Sequence, residues 1–505
     1  MALAPFFERV YGAIGGHLAV SRESLTASLE TVRVGVHCGA RCKRNDVWIA
    51  EMVTNLLARL YPRIAISGTA SQATELRKLA RQINPDIEFE TDSPGTTSIC
   101  IGSAKLPDAI FPTSSGWVAR VDHASAQPSG QDNPYGAGAA ASLACAELFR
   151  RVFVKTGAER DFKMSLLDFG DETGSELPLK SSNLGDVVFA GVGAVGNAAL
   201  WALSRDTKLK GHLWLVDAED LTLLNLQRYV LGTDADVSRS KVRLAKQLFQ
   251  GTRLTAEACQ TALEQFAELR NGIDIPTICI SVDNVEARRE AQALLPRLVV
   301  NGWTGDEALG ASWHVLSRDA ACLACLYQPH GQGPSATEQA ARALGLSFER
   351  ATLLWISRQP MTDEDFQTIG QHLGVGETTL EPWRAKSLGD LYTDVVCGAV
   401  PLDVTGVGRV ETVPLAHQSA LAGILMAAEL VKRTNPRLAA VAQAEPLVSW
   451  DDILRPPPTL WVRPRPRETG CICGDPDYQA VYRRKWGRRS GESVTRVADL
   501  HVVDT

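Results

Sequence analysis

The sequence predicts an α/β protein of two sheet-and-helix domains, the second of which carries a small helical insertion. Three observations predict it. Short apolar runs alternate with helical patterns over residues 31–154 and again over 187–300, the order expected of strand–helix units. The second series opens with Val187-Val188-Phe189-Ala190, then Gly191-Val192-Gly193-Ala194-Val195-Gly196, then a helical pattern over 197–204. Residues 336–386 carry helical patterns only.

The glycine turn lies between a buried strand and a helix start, where its backbone can approach phosphate oxygens and the helix N-terminus offers free N–H groups. A strand over 212–216 ends in Asp217, placed to bind a ribose hydroxyl. Alone, this much also fits a dinucleotide-dependent redox or regulatory protein. Asn225, Arg228 and Lys241 follow, and a dinucleotide fold needs no amide, guanidinium and ammonium there. A triphosphate does, because it has more negative charge to neutralise. A further strand over 277–281 leads to Asp283, a second carboxylate at the carboxyl edge of the sheet.

Together, Gly191, Gly193, Gly196, Asp217, Asn225, Arg228, Lys241 and Asp283 resemble the adenylation domain of the ubiquitin-activating enzyme superfamily, which includes bacterial sulfur-carrier adenylyltransferases. The resemblance is tight over 187–300 and 397–473, and looser elsewhere. It implies two Rossmann-like domains, the first degenerate and the second an active adenylation domain. It also implies that ATP sits on the turn, that Asp283 helps hold Mg²⁺, and that Asn225, Arg228 and Lys241 contact the phosphates.

The chain as a whole sets bounds. At 505 residues it is too long for one core. A net charge of −6 argues against general nucleic-acid binding. No apolar run reaches the roughly 18 residues of a membrane span. The first nine residues lack the pattern of a signal peptide. Eleven scattered cysteines fit a reducing cytoplasm.

Residues 1–165 read as the first domain: strands at 31–37, 64–67, 98–101 and 117–121, and helices at 46–60, 72–83 and 139–154. Arg41-Cys42-Lys43-Arg44 stands where a glycine turn would be, so this half is a degenerate copy or an unrelated α/β domain. Residues 166–328 form the first part of the adenylation domain, after a polar connection at 168–183. Residues 329–396 form the helical insertion, with helices at 336–344, 349–357, 363–373 and 380–386. From Leu391-Tyr392-Thr393 through Cys397-Gly398 a strand-like run returns to the main domain, and residues 397–505 complete it. There 417–432 is an apolar helix and 483–489 a solvated tail or surface.

Cys322-x-x-Cys325 and the distant Cys471-x-Cys473 supply the four thiolates that a tetrahedral structural Zn²⁺ takes. A redox pair would leave the second pair unexplained. Sulfur-carrier adenylyltransferases carry a similar site. On context alone Cys397 reads as a buried structural cysteine. The resemblance makes it the nucleophile: it follows the helical insertion, with Pro401, Pro414 and His417 downstream, although Gly398 stands where relatives often have threonine.

What the resemblance implies is an activating enzyme for a ubiquitin-like protein with a C-terminal glycine, working with a conjugating enzyme in bacteria, with antiviral defence as a candidate setting. The alternative is a sulfur-carrier or peptide-modifying adenylyltransferase without a thioester step. A homodimer is left open. An arginine from the first domain or a partner is expected at the ATP site, with Arg9 and Arg22 as candidates.

Overall fold

The computed structural model describes residues 3–487 apart from 19, 91–94, 96, 126, 156–160, 171–172, 270–274, 329–335, 358 and 396–412. The described residues divide into two compact units: 3–6, 26–328 and 414–487 in one, 7–25, 336–395 and 413 in the other.

The larger unit holds three sheets. β1 (Val34–Cys38), β2 (Arg63–Ser67), β3 (Glu88–Glu90) and β4 (Thr97–Ile101) form a parallel sheet in the order β3-β2-β1-β4. β5 (Phe111–Ser115), β6 (Val118–Asp122) and β7 (Phe162–Ser165) form an antiparallel one. The third sheet is built from β8 (Ser182–Ala190), β9 (Leu209–Val216), β10 (Leu254–Cys259), β11 (Thr277–Ile280), β12 (Leu298–Thr304), β13 (Leu309–His314), β14 (Leu447–Trp450) and β15 (Val462–Arg463). Its order is β10-β9-β8-β11-β12-β13-β14-β15, parallel from β10 to β12 and antiparallel beyond.

Both parallel sheets therefore share one order, third-second-first-fourth, which is the nucleotide-binding half of a Rossmann sheet. The expected pair of Rossmann-like domains is what the chain forms. In each, a helix follows the first strand: α1 (Arg44–Ala58) after β1, and α3 (Ala194–Arg205) after β8. Two further helices complete the interior, α2 (Pro134–Phe149) and α4 (Ala416–Thr434).

The third sheet's inner strands β11, β12 and β13 are apolar runs because both faces are covered there. Val188, Ala190, Val216, Ile278, Ile280 and Val299 pack on one side with Phe266, Ala291 and Leu323. α4 is buried along its whole length. It meets α3 where a side chain is excluded: a Cβ on Gly423 would lie 2.3 Å from the Val195 carbonyl oxygen and 2.7 Å from Ala198 Cβ. It meets α2 at Gly138, whose added Cβ would lie 2.7 Å from Ile424 Cδ1. At its last turn Glu429 is buried between Lys432 and Arg433, with Arg433 Nε donating to the carboxylate at 3.0 Å. Lys432 also donates to the Leu166 carbonyl, tying α4 to the end of β7.

The smaller unit packs Leu344, Leu354, Phe366, Ile369, Leu380, Trp383, Leu388 and Leu391 into its own core. Arg350 donates to both oxygens of Asp365, at 2.8 and 2.6 Å. Residues 7–25 belong here rather than with the first sheet.

Three expectations are corrected. The strand expected at 31–37 begins at Val34, because Arg22–Thr31 is a helix. The run from Leu391 is not a strand returning to the main domain: Leu388–Val395 is a helix whose Leu388 and Leu391 lie in the small unit's core. Ser387 caps it, accepting from Asp390 N at 3.2 Å while Asp390 accepts from Ser387 N at 3.1 Å, and this Ser-x-x-Asp pattern is a helix start. Finally, the solvated tail or surface expected at 483–489 is, through Trp486, part of a helix with Arg483 and Arg484 exposed and Trp486 half-buried. Helix Pro476–Trp486 is docked, Trp486 Nε1 donating to the Leu295 carbonyl at 2.7 Å and Tyr482 to that of Arg297 at 3.1 Å.

Gly423→Val is expected to lower unfolding free energy by about 1–3 kcal/mol or more, since α3 must move to admit the side chain. Urea denaturation of the full chain checks it; an unchanged midpoint would mean α4 and α3 are not held at this distance.

Candidate functional site

The site lies at the carboxyl ends of β8, β9 and β11, where the sheet order reverses and open α/β sheets bind ligands. The three glycines of the turn have different physical reasons. Gly191 has φ +87°, and an added Cβ would stand 2.9 Å from the Ser281 carbonyl oxygen. At Gly196 an added Cβ would stand 2.2 Å from the Gly191 oxygen. Both are required by the fold. Gly193, the N-cap of α3, has φ −71°, and its added Cβ would meet nothing within 4 Å. The fold leaves room there that a side chain would fill, which is the room a phosphate needs.

Asp217, just after β9, accepts from Val192 N at 2.7 Å and from Glu219 N at 2.9 Å. Burial pushes its carboxyl up, opposed by the Glu219 N–H, the Lys241 charge and the Val192 N–H. It thus bridges the glycine turn and the next loop. Asn225 sits in a 3-10 turn whose start it caps, its Oδ1 accepting from Thr222 N at 3.1 Å. Arg228 closes that turn. Lys241 is buried and ion-paired with Glu219, which is largely exposed. Asp283 is exposed after β11, beside the buried Arg288. Arg288 in turn donates to the Val282 and Gly302 carbonyls and to Asn301.

Sequence reasoning missed two residues. Asn197, fully buried on the first turn of α3, donates to the Gly193 and Ala194 carbonyls at 2.6 and 2.9 Å and accepts from Leu231 N at 3.2 Å. It locks the glycine turn to the segment carrying Arg228. Ser281 Oγ donates to the Gly191 carbonyl at 2.8 Å. A polar residue inside an otherwise apolar helix start was the available signal for Asn197. Arg22, one of the two arginine candidates, is ion-paired with Glu8 in the smaller unit, where Arg9 also lies. Cys397 falls outside the described residues.

The first sheet treats its equivalent position differently. At the N-terminus of α1, Asp46 accepts from Lys43 N at 2.8 Å and from Ser129 Oγ, Lys43 Nζ donates to the Ser129 carbonyl, and a cavity of about 330 Å³ lined by Arg41, Cys42, Gly102, Ser103 and Lys105 lies against them. An internal anion stands where the other domain leaves space.

Cys322, Cys325, Cys471 and Cys473 come together, buried, with their sulfurs all within 4.8 Å of one another. Recorded separations are 3.9 Å for Cys322–Cys325, 3.6 Å for Cys322–Cys471 and 3.4 Å for Cys325–Cys473. Four sulfurs about 2.3 Å from one zinc lie about 3.8 Å apart, so the set can hold a tetrahedral ion.

A family model described as ThiF family matches residues 166–451, more than half the chain. The chain belongs to the ThiF family. A second model, Prokaryotic E2 family C, matches residues 37–154. The Sinorhizobium fredii (strain NBRC 101917 / NGR234) protein y4jF, described as uncharacterized, is 32% identical over 96% of this chain and 98% of its own. Among solved structures, E. coli MccB is 14% identical over 58% of this chain and 65% of that one, with a TM-score of 0.35. MccB with AMPCPP and MccA is 19% identical over 28% and 44%, with a TM-score of 0.25. The chain therefore spans less than two thirds of these MccB chains. As a ThiF-family adenylyltransferase it uses ATP. No helix among the described residues is long and apolar enough to cross a membrane.

The glycines separate fold from ligand. Gly196→Ala is expected to cost several kcal/mol or prevent folding, since the added carbon meets backbone. Gly193→Ala is expected to stay within about 1 kcal/mol of the parent, as an alanine N-cap does, yet to weaken ATP binding. Thermal unfolding beside ATP calorimetry checks both; equal stability losses would remove the distinction.

Proposed function

We propose that this ThiF-family chain activates a ubiquitin-like protein at its C-terminal carboxylate and then carries it as a thioester on Cys397. ATP lies along the glycine turn with its ribose at Asp217. Asn225, Arg228 and Lys241 meet the phosphates, and Asp283 is the carboxylate that would hold Mg²⁺, whose charge would offset that of the phosphates. A carboxylate oxygen of the substrate attacks the α-phosphorus, the bond to the β-phosphate oxygen breaks, and pyrophosphate leaves. Cationic groups near that phosphorus are worth most as charge shifts in the transition state. The mixed anhydride makes AMP a good leaving group, so the Cys397 thiolate can take the acyl group with loss of AMP.

The observation that carries this reading is the compact helical unit between β13 and α4, lying within the span of the ThiF match, with Cys397 two residues beyond its last described helix. The Prokaryotic E2 family C match falls on residues 37–154 of this chain itself. Because β1–β4 in that stretch form a parallel Rossmann sheet, we assign the segment to the degenerate copy and keep the conjugating enzyme as a separate partner. The four-cysteine cluster favours the second reading, a sulfur-carrier or peptide-modifying adenylyltransferase without a thioester.

One substitution separates them. With a β-grasp protein encoded beside this one as substrate, Cys397→Ala should keep ATP–pyrophosphate exchange and lose a reductant-sensitive adduct. Exchange without any such adduct in the parent chain would leave the second reading standing, and absence of exchange with every carrier tried would count against both.

We also propose that the four-cysteine cluster holds a structural Zn²⁺ that pins the chain near its end to the loop after β13. Metal analysis is expected to give one zinc per chain, lost in Cys473→Ala, and a strong chelator should lower the melting temperature. Fresh protein without zinc would sink this assignment.

A further inference from the structure

The segment carrying Arg228 is held from the first domain. Arg59, the C-cap of α1, is almost fully buried. Its Nη1 donates to the Leu226 carbonyl, its Nη2 to the Gly232 carbonyl at 2.9 Å, and its Nε to Asn55 Oδ1 at 3.0 Å. Asn55 Nδ2 donates to the Val230 carbonyl at 2.9 Å. Two side chains one helical turn apart thus grip three carbonyls along Leu226–Gly232, and Arg228 lies between the gripped points. From the other side Asn197 accepts from Leu231 N. None of these bonds belongs to a sheet.

Arg59's hydrogen bonds go to neutral oxygens, and burial lowers its pKa to about 9, so it is still charged near neutral pH. Burying a guanidinium without a carboxylate is costly. Its planar fork is suited to holding two backbone points at a fixed separation, which an ammonium cannot do.

We propose that Arg59, supported by Asn55, is a positioning residue for the triphosphate: it fixes the Leu226–Gly232 backbone and through it the guanidinium of Arg228. The domain lacking a glycine turn is then a working part of its neighbour's site. This rests on the reading of Arg228 as a phosphate contact.

Calorimetry of the full chain with Mg·ATP and, separately, with AMP tests it. A positioning role acts on the outer phosphates, so Arg59→Ala should weaken ATP about tenfold or more, the scale of a lost contact to a charged group, and leave AMP within about twofold. Asn55→Ala should move the same way by less, and carries the test if Arg59→Ala does not fold. Glu51→Gln is the control on the same helix: it breaks the ion pair with Arg205 without touching Leu226–Gly232, and should change neither affinity. ATP and AMP weakening in parallel, or neither weakening, in Arg59→Ala and Asn55→Ala would overturn the proposal. Arg228→Ala separates this from the underlying reading: if that variant leaves the ATP-to-AMP ratio unchanged, the phosphate role of Arg228 itself is wrong.

Discussion

The close approach of α4 to α3 is the constraint on which the larger unit depends. Only a glycine at 423 lets the Val195 carbonyl come that near, and Val195 lies inside the glycine turn. The placement of the phosphate-facing backbone is thus set by a helix more than two hundred residues away in sequence. α2 reaches the same helix through Gly138, so both Rossmann-like halves are fitted to one buried rod. Interiors packed at crystal-like density do not bend to accommodate an added carbon; they shift as a body. The smaller unit, with a core of its own, interrupts the chain just before that rod without diluting it.

The two parallel sheets show how a shared topology yields two different helix starts. Both place a helix N-terminus at the reversal of strand order. At α3 the N-terminal residue is Gly193 with open space before it; at α1 the cap is Lys43, covered by Asp46 and Ser129. A helix N-terminus needs an anion or an acceptor. One domain places a carboxylate of its own sequence at the cap, and the other leaves open space there.

How much of this was legible in the sequence follows from the range of each interaction. Strands and helices were read well wherever apolar period and turn residues agreed, as at 187–190, 277–280 and 363–373. The Cys322–Cys325 and Cys471–Cys473 pairs were legible because thiols at short spacing have few other uses. Two failures came from local context. Leu391–Val395 looks like a strand if Ser387 and Asp390 are not read as a cap, and 483–486 looks solvated because the apolar tip of Trp486 is isolated among cations. Arg59 and Asn197 are a different case. Their roles lie in bonds to backbone groups of distant segments: a polar residue in an apolar helix start marks Asn197 as unusual, but nothing in either side chain's identity says which segment it binds.

The polar residues read as nucleotide contacts are not idle in the structure. Asn225 caps its own turn through Thr222, Asp217 holds the Val192 and Glu219 N–H groups, and Lys241 is paired with Glu219. On the proposed reading, binding a triphosphate would exchange contacts rather than create them. Glu219, largely exposed, is the partner most readily released to water, which would leave Lys241 to a phosphate oxygen. Such an exchange gives modest ground-state affinity, because each gained bond replaces one already made. It also leaves the site ordered before the nucleotide arrives, so little entropy is lost on binding. Contacts that strengthen only as charge builds on the transferring phosphate then count toward rate rather than toward tight binding of ATP. Preorganisation by internal partners is what a site for chemistry, as opposed to storage, requires.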